Sequence, residues 1–176
     1  QKALNPLLFG LPIPDNVPPE LRDMKVYFLN ERREVVNSKA FPFERRADGS
    51  YGVKGDTVRL PAWRVGFGLK AIDRPTGNTK NKNGIYALTL QADGQAAFQW
   101  HMSELDFDET RYLNAHTDYS ARERYGAWFH RCFVLPGDRL SNYARTESLG
   151  AIPLYKERPV KIVLKAADAH NNVSTV

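Results

Sequence analysis

The sequence predicts an all-β fold: an immunoglobulin-like antiparallel β-sandwich with a partly helical insertion between strands. Three observations lead there. Apolar residues alternate with polar ones in several short stretches. An Asp-Gly pair separates two of those stretches, the pattern of a tight hairpin. Turn residues, rather than helical crossovers, lie between the rest. At 176 residues the chain can bury roughly 70% of its unfolded surface, enough for one core without covalent staples.

The first strand is MKVYFL, Met24–Leu29, entered through Pro18-Pro19. A long connection, Asn30–Pro61, follows it and carries extra strands around SYGV and TVRL. VGFGLKAID (Val65–Asp73) and VKIVLKAAD (Val160–Asp168) share Val-x-(Phe/Ile)-x-Leu-Lys-Ala-x-Asp. In each, alternate apolar residues face inward, while Lys70 and Lys165 face outward. Both copies end on Asp and then turn, with Gly77 and Asn171 suited to positive φ. Between them GIYALTLQA (Gly84–Ala92) and QAAFQWHM (Gln95–Met102) flank Asp93-Gly94. Tyr86, Leu88 and Leu90 should face in from one arm, and Ala96, Phe98, Trp100 and Met102 from the other.

Taking Met24–Leu29, Val65–Asp73, Gly84–Ala92 and Val160–Asp168 as strands A, B, C and F places B and F opposite each other across the core. NNVSTV begins a last strand. The sandwich then covers residues 20–176, with an insertion at about 103–159. Within that insertion Asp108 should cap a helix over Glu109–Leu113. Thr117 or Asp118 should cap another over Tyr119–Tyr125, ended by Gly126. RCFVL reads as strand and PGDR as turn.

Composition narrows the chemistry. No apolar run approaches the ~20 residues of a membrane span. The net charge of +5 is spread along the chain, not gathered into a stripe, which argues against nucleic-acid binding. The Glu31–Arg33 and Glu44–Arg46 runs read as solvated loops. Cys132, the single cysteine, lies among apolar neighbours and reads as a buried, inert thiol; it leaves no internal disulfide and no paired-cysteine zinc site. His101, His116, His130 and His170 show no metal-ligand spacing and read as surface or cap residues. Glu104, Asp106, Asp108 and Glu109 form the densest acidic cluster. Helix capping, with salt bridges to Arg111 or Arg122, is a simpler reading of it than calcium or paired-carboxylate chemistry. GVKGD at Gly52–Asp56 reads as a turn. Of Trp63, Trp100 and Trp128, two lie in or beside strands and read as packing residues rather than a sugar platform. The residues therefore define no catalytic, cofactor-binding or metal site.

Four stretches carry a resemblance: LNPLLFGLPIPDNVPPEL, NGIYALTLQADG, FDETRYLNAHTDY and PGDRLSNY. In this order they resemble the region downstream of the catalytic domain in LytM/lysostaphin-like zinc metallopeptidases of Bacteroidota-type bacteria. The likeness runs from Leu4 to about Ser174. It implies that residues 1–19 are a linker and the foot of a preceding domain, with Leu4, Leu7, Leu8 and Phe9 packing against that domain. It implies zinc in the parent's catalytic domain and none here, because the family's H-x(3)-D and H-x-H ligands match nothing in this sequence. The implied partners are the preceding peptidase domain and peptidoglycan, and the implied location is the cell envelope or periplasm. The implied role is a non-catalytic accessory domain that positions or shields the catalytic domain. A stand-alone glycan- or protein-binding module of the envelope is the alternative.

Overall fold

The computed structural model describes residues 1–77, 80–144, 146–155 and 158–176. In chain order the elements are β1 (Lys2–Leu4), β2 (Glu20–Leu29), β3 (Val35–Arg45), β4 (Tyr51–Val53), β5 (Arg64–Ile72), β6 (Ala87–Ala92), β7 (Gln95–His101) and β8 (Glu104–Asp106). The helices α1 (Leu113–His116) and α2 (Tyr119–Tyr125) follow. Then come β9 (His130–Arg131), β10 (Tyr143–Ala144), β11 (Ile152–Pro153), β12 (Ile162–Ala167) and β13 (Val173–Thr175).

These strands form an all-β sandwich. One antiparallel sheet has the order β11-β5-β2-β3-β4, with β9 also paired to β5. The other has the order β10-β7-β6-β12-β13. A separate short pair joins β1 to β8. The two copies of the Leu-Lys-Ala-x-Asp stretch, β5 and β12, lie in opposite sheets, and both feed the core between them. Val65, Phe67 and Leu69 of one sheet and Leu88, Leu90, Phe98, Trp100 and Leu164 of the other are all at least nine-tenths buried. Each such side chain contributes about 1.5–3 kcal/mol of transfer free energy, so this shared cluster dominates the favourable side of folding.

The outer face of β5 is also covered. His130 pairs with Leu69 and Arg131 with Gly68, and the Cys132 N–H donates to the Phe67 carbonyl at 2.7 Å. The segment therefore follows β5, and strand alternation sends His130, Cys132 and Val134 one way and Arg131 and Phe133 the other. Phe133 lies over Gly66, where an added Cβ would overlap its ring, and Tyr27 lies over Gly68. The Tyr27 and Phe133 rings pack 5.2 Å apart, forming a small second core with Leu29 and Ala151.

Several local expectations change. Asn30–Pro61 holds an eleven-residue strand, β3, that apolar periodicity does not reveal because most of its residues are exposed. Thr57–Leu60 is not a strand, whereas Tyr51–Val53 is. Of RCFVL only Arg131's neighbourhood keeps a ladder, since β9 ends before Cys132. In the Asp93-Gly94 hairpin a bulge falls where Leu90 faces Phe98 but Gln91 faces Ala96. The extra residue, Ala97, turns inward and Ala96 points to solvent, which reverses the expected placement of Ala96. Tyr86 lies outside β6 and is only half-buried, while Ile85 joins the core.

In the insertion, Asp106 rather than Asp108 caps the first turn, a 3-10 helix over Phe107–Tyr112, and accepts from the Asp108 N–H. The second helix matches its expected span: Asp118 caps it and Gly126, at φ 62°, ends it.

Candidate functional site

Three constellations bring chemistry-bearing residues together. The first is internal. β9 aims His130 toward the core margin, and α1 brings His116 beside it, with His116 Nε2 3.2 Å from His130 Nδ1. The His116 ring stacks on Trp100 at 4.3 Å between centroids. Burial, together with the charge that a protonated His130 would set beside it and that of Arg131, drives the His116 imidazole well below its usual pKa. Burial alone lowers His130 to about 4. Both rings are therefore neutral at pH 7, and their place against Trp100 makes them a polar plug in the core wall.

On the outer face of the same strand, Asp118 collects four donors. Its carboxylate accepts from Lys25 Nζ (2.6 Å), Tyr27 OH (2.9 Å), the Ala121 N–H (3.2 Å) and Arg131 Nη2 (3.3 Å). Burial works to raise its pKa, but the bonds from Lys25 and Tyr27 and the Arg131 charge outweigh burial and hold it low. Arg131 also donates to the carbonyls of Ala115 and Thr117. The network ties α1, α2, β2 and β9 together. It presents no solvent-facing nucleophile, and its acid–base groups are engaged with one another.

The second constellation is the N-terminal strap. β1 pairs with β8, Lys2 bonds Glu104, and the Gln1 carbonyl accepts from the Phe107 N–H at 3.0 Å. Asn5 holds the strap at two points: its N–H donates to the Ser103 carbonyl and its Nδ2 to the Met102 carbonyl. Its Oδ1 also caps the 3-10 turn Pro6–Phe9, which closes on Gly10 at φ 73°. The backbone of residues 1–5 is thus anchored, and along the segment that follows several apolar side chains stay exposed, some of them lining a cleft. Phe9 is 66% exposed and Leu4 54%, with Leu8, Leu11 and Ile13 also exposed.

The third constellation closes the far end of the same feature. Between the strap and the end of the sandwich lies an open cleft of about 940 Å³, apolar near Leu4, Leu7 and Ile85 and polar near Asp15, Asp73 and His170. Asp15, Asp168 and His170 each bring a potential ligand atom, all within 4.8 Å of one another. Asp168 and Asp73 are the aspartates that end the two related strands. Burial and the charges of Asp15 and Asp168 push Asp73 up to about 6. Its Oδ1 is buried and has no hydrogen-bond partner among the described residues.

The sequence-derived candidates distribute as follows. Cys132 is fully buried, and burial pushes its thiol up to about 12, so it is inert. His116 and His130 are buried rather than on the surface; His170 is half-buried and His101 exposed. Within the acidic cluster Asp106 caps, Glu104 bonds Lys2, and Glu109 accepts from Ser141. Trp100 is core, but Trp63 and Trp128 are each 44% exposed and lie against Arg64 and Arg122. Of Gly52–Asp56, expected as a turn, Gly52 and Val53 end β4 and only residues 54–56 turn, with Gly55 and Asp56 at positive φ.

No family model, curated protein or solved structure matches this chain. Among the described residues no helix is long and apolar enough to cross a membrane.

Proposed function

We propose that the chain is a non-catalytic accessory β-sandwich domain of a secreted cell-wall (peptidoglycan) zinc metallopeptidase, and that it positions or shields the catalytic domain. The observation that carries this reading is the strap: five large apolar side chains, Leu4, Leu8, Phe9, Leu11 and Ile13, are exposed on a segment whose first five residues are bonded to residues 102–107. Contiguous exposed apolar side chains of this kind tend to mark a docking surface. Its occupant in this reading is the peptidase domain, which supplies the zinc and the chemistry. The stretches that carry the family resemblance support it, because their polar residues serve internal structure. Asn5 and Asn142 grip main-chain carbonyls of residues 101–104, and Asp118 joins the helices to the sheet. Residence in the envelope or periplasm follows from the same reading.

The test is to read the coding sequence immediately upstream of Gln1. A peptidase segment ending in an H-x-H ligand pair supports the proposal, and an unrelated domain there overturns it. A second reading, a stand-alone glycan- or protein-binding module of the envelope, draws on the exposure of Trp63 and Trp128. Binding to purified sacculi that is lost on replacing both tryptophans would favour it.

A further inference from the structure

Acidic charge gathers at the end of the strap cleft. Asp15, Asp168 and Asp73 bring three carboxylates together, and Asp168 and Asp73 are 2% and 4% exposed. Asp168 accepts from the His170 and Asn172 N–H groups and from Asn172 Nδ2. Asp15 accepts from the Val17 and Thr76 N–H groups. Those bonds shape the two loops and leave lone pairs on each carboxylate. Asp73 supplies the independent sign: it lines the same cleft as Asp15 and His170, and its buried Oδ1 has no hydrogen-bond partner among the described residues. A buried, unpaired carboxylate oxygen beside two more carboxylates is costly unless a cation or a proton neutralises it.

We propose that Asp15, Asp168 and His170, backed by Asp73, bind one divalent cation of the zinc–manganese class, which fastens the N-terminal strap to the β12–β13 turn. The three potential ligand atoms already lie within 4.8 Å of one another, the span across a single coordination sphere. The imidazole decides the class: carboxylates suit magnesium, calcium and manganese alike, but a nitrogen ligand favours zinc and its neighbours over calcium, which takes six to eight oxygens. The role is structural. Asp15 belongs to the strap and Asp168 and His170 to the opposite end of the chain, so the ion cross-links segments more than 150 residues apart.

The experiment titrates Zn²⁺, Mn²⁺ and Ca²⁺ singly into metal-stripped protein, following heat of binding, melting temperature and amide exchange of the strap. The expected result is one equivalent of Zn²⁺ or Mn²⁺. At a hundredfold excess over Kd it should raise the melting temperature by roughly 5–10 °C and slow exchange across Leu11–Val17. His170→Ala and Asp15→Asn, which spare the buried Asp168, should each weaken binding at least about tenfold. No binding by any of the three ions overturns the proposal, as does undiminished binding in the two variants. A response to Ca²⁺ alone overturns the assigned class.

Discussion

At the residue scale, burial sets the behaviour of the ionisable groups, and the histidine pair makes this measurable. His130 takes up its proton near pH 4 in the folded chain, whereas an unfolded histidine does so near 6.5. Between those values the unfolded state binds more protons, so stability rises with pH through the window and falls as pH drops through it. His130 alone should remove about 2 kcal/mol between pH 7 and pH 5, and His116 acts in the same direction. Asp118, held low, acts in a separate window: its stabilisation is present above the usual aspartate pKa and disappears only in stronger acid. Urea melts at pH 7 and pH 5 check this, with His130→Gln expected to flatten the loss; an unchanged loss would show that other groups carry it. The inert Cys132 was legible in the sequence from its apolar neighbours. The histidine pair was not, because its members are fourteen positions apart and only the bridge between Thr117 and His130 brings them together. One signal was present in His130–Val134, whose alternation places His130 on the same face as the buried Cys132.

At the element scale, the strands that bury one face were legible and those that do not were hidden. Asp93-Gly94, at φ 50° and 80°, forms the expected hairpin turn. Phe98→Ala should therefore cost about 3–5 kcal/mol, while Gln99→Ala stays within roughly 0.5 kcal/mol. Equal small losses in denaturant melts would mean the strand face is wrong. The bulge at Ala97 left no trace in the apolar pattern, because alanine fits either face. It is held from outside the hairpin: the Ala97 carbonyl accepts from the Gly150 N–H and the Thr146 and Ser148 hydroxyls. β3 was missed for the opposite reason, since an exposed strand shows no buried period. The glycines of β5 are explained by what covers them. Gly66→Ala drives a methyl group into the Phe133 ring and should destabilise by about 1–3 kcal/mol. Trimming the ring with Phe133→Leu should recover part of that loss, and additive losses in the double variant would place Phe133 elsewhere.

At the scale of the whole molecule, the sandwich and the opposition of β5 and β12 could be read from the repeated stretch, but its shared final Asp gained meaning only in the fold, where Asp73 lines the strap cleft and Asp168 stands beside Asp15 and His170. The apolar start of the chain was visible as a cluster; its anchoring to β8 was not, since that pairing spans a hundred residues. Replacing Leu8 and Phe9 together by Asp should leave stability within roughly 0.5 kcal/mol per site, as for other exposed positions. It should also reduce any concentration-dependent association seen by sedimentation. A large drop in melting temperature would place both side chains in this domain's own packing. The central claim, that the chain serves an enzyme without being one, is tested most directly by incubating the purified protein with muropeptides and added Zn²⁺, with and without chelator. The account expects intact muropeptides under every condition, even if the cleft binds the ion. Chelator-sensitive cleavage products at catalytic turnover would contradict it.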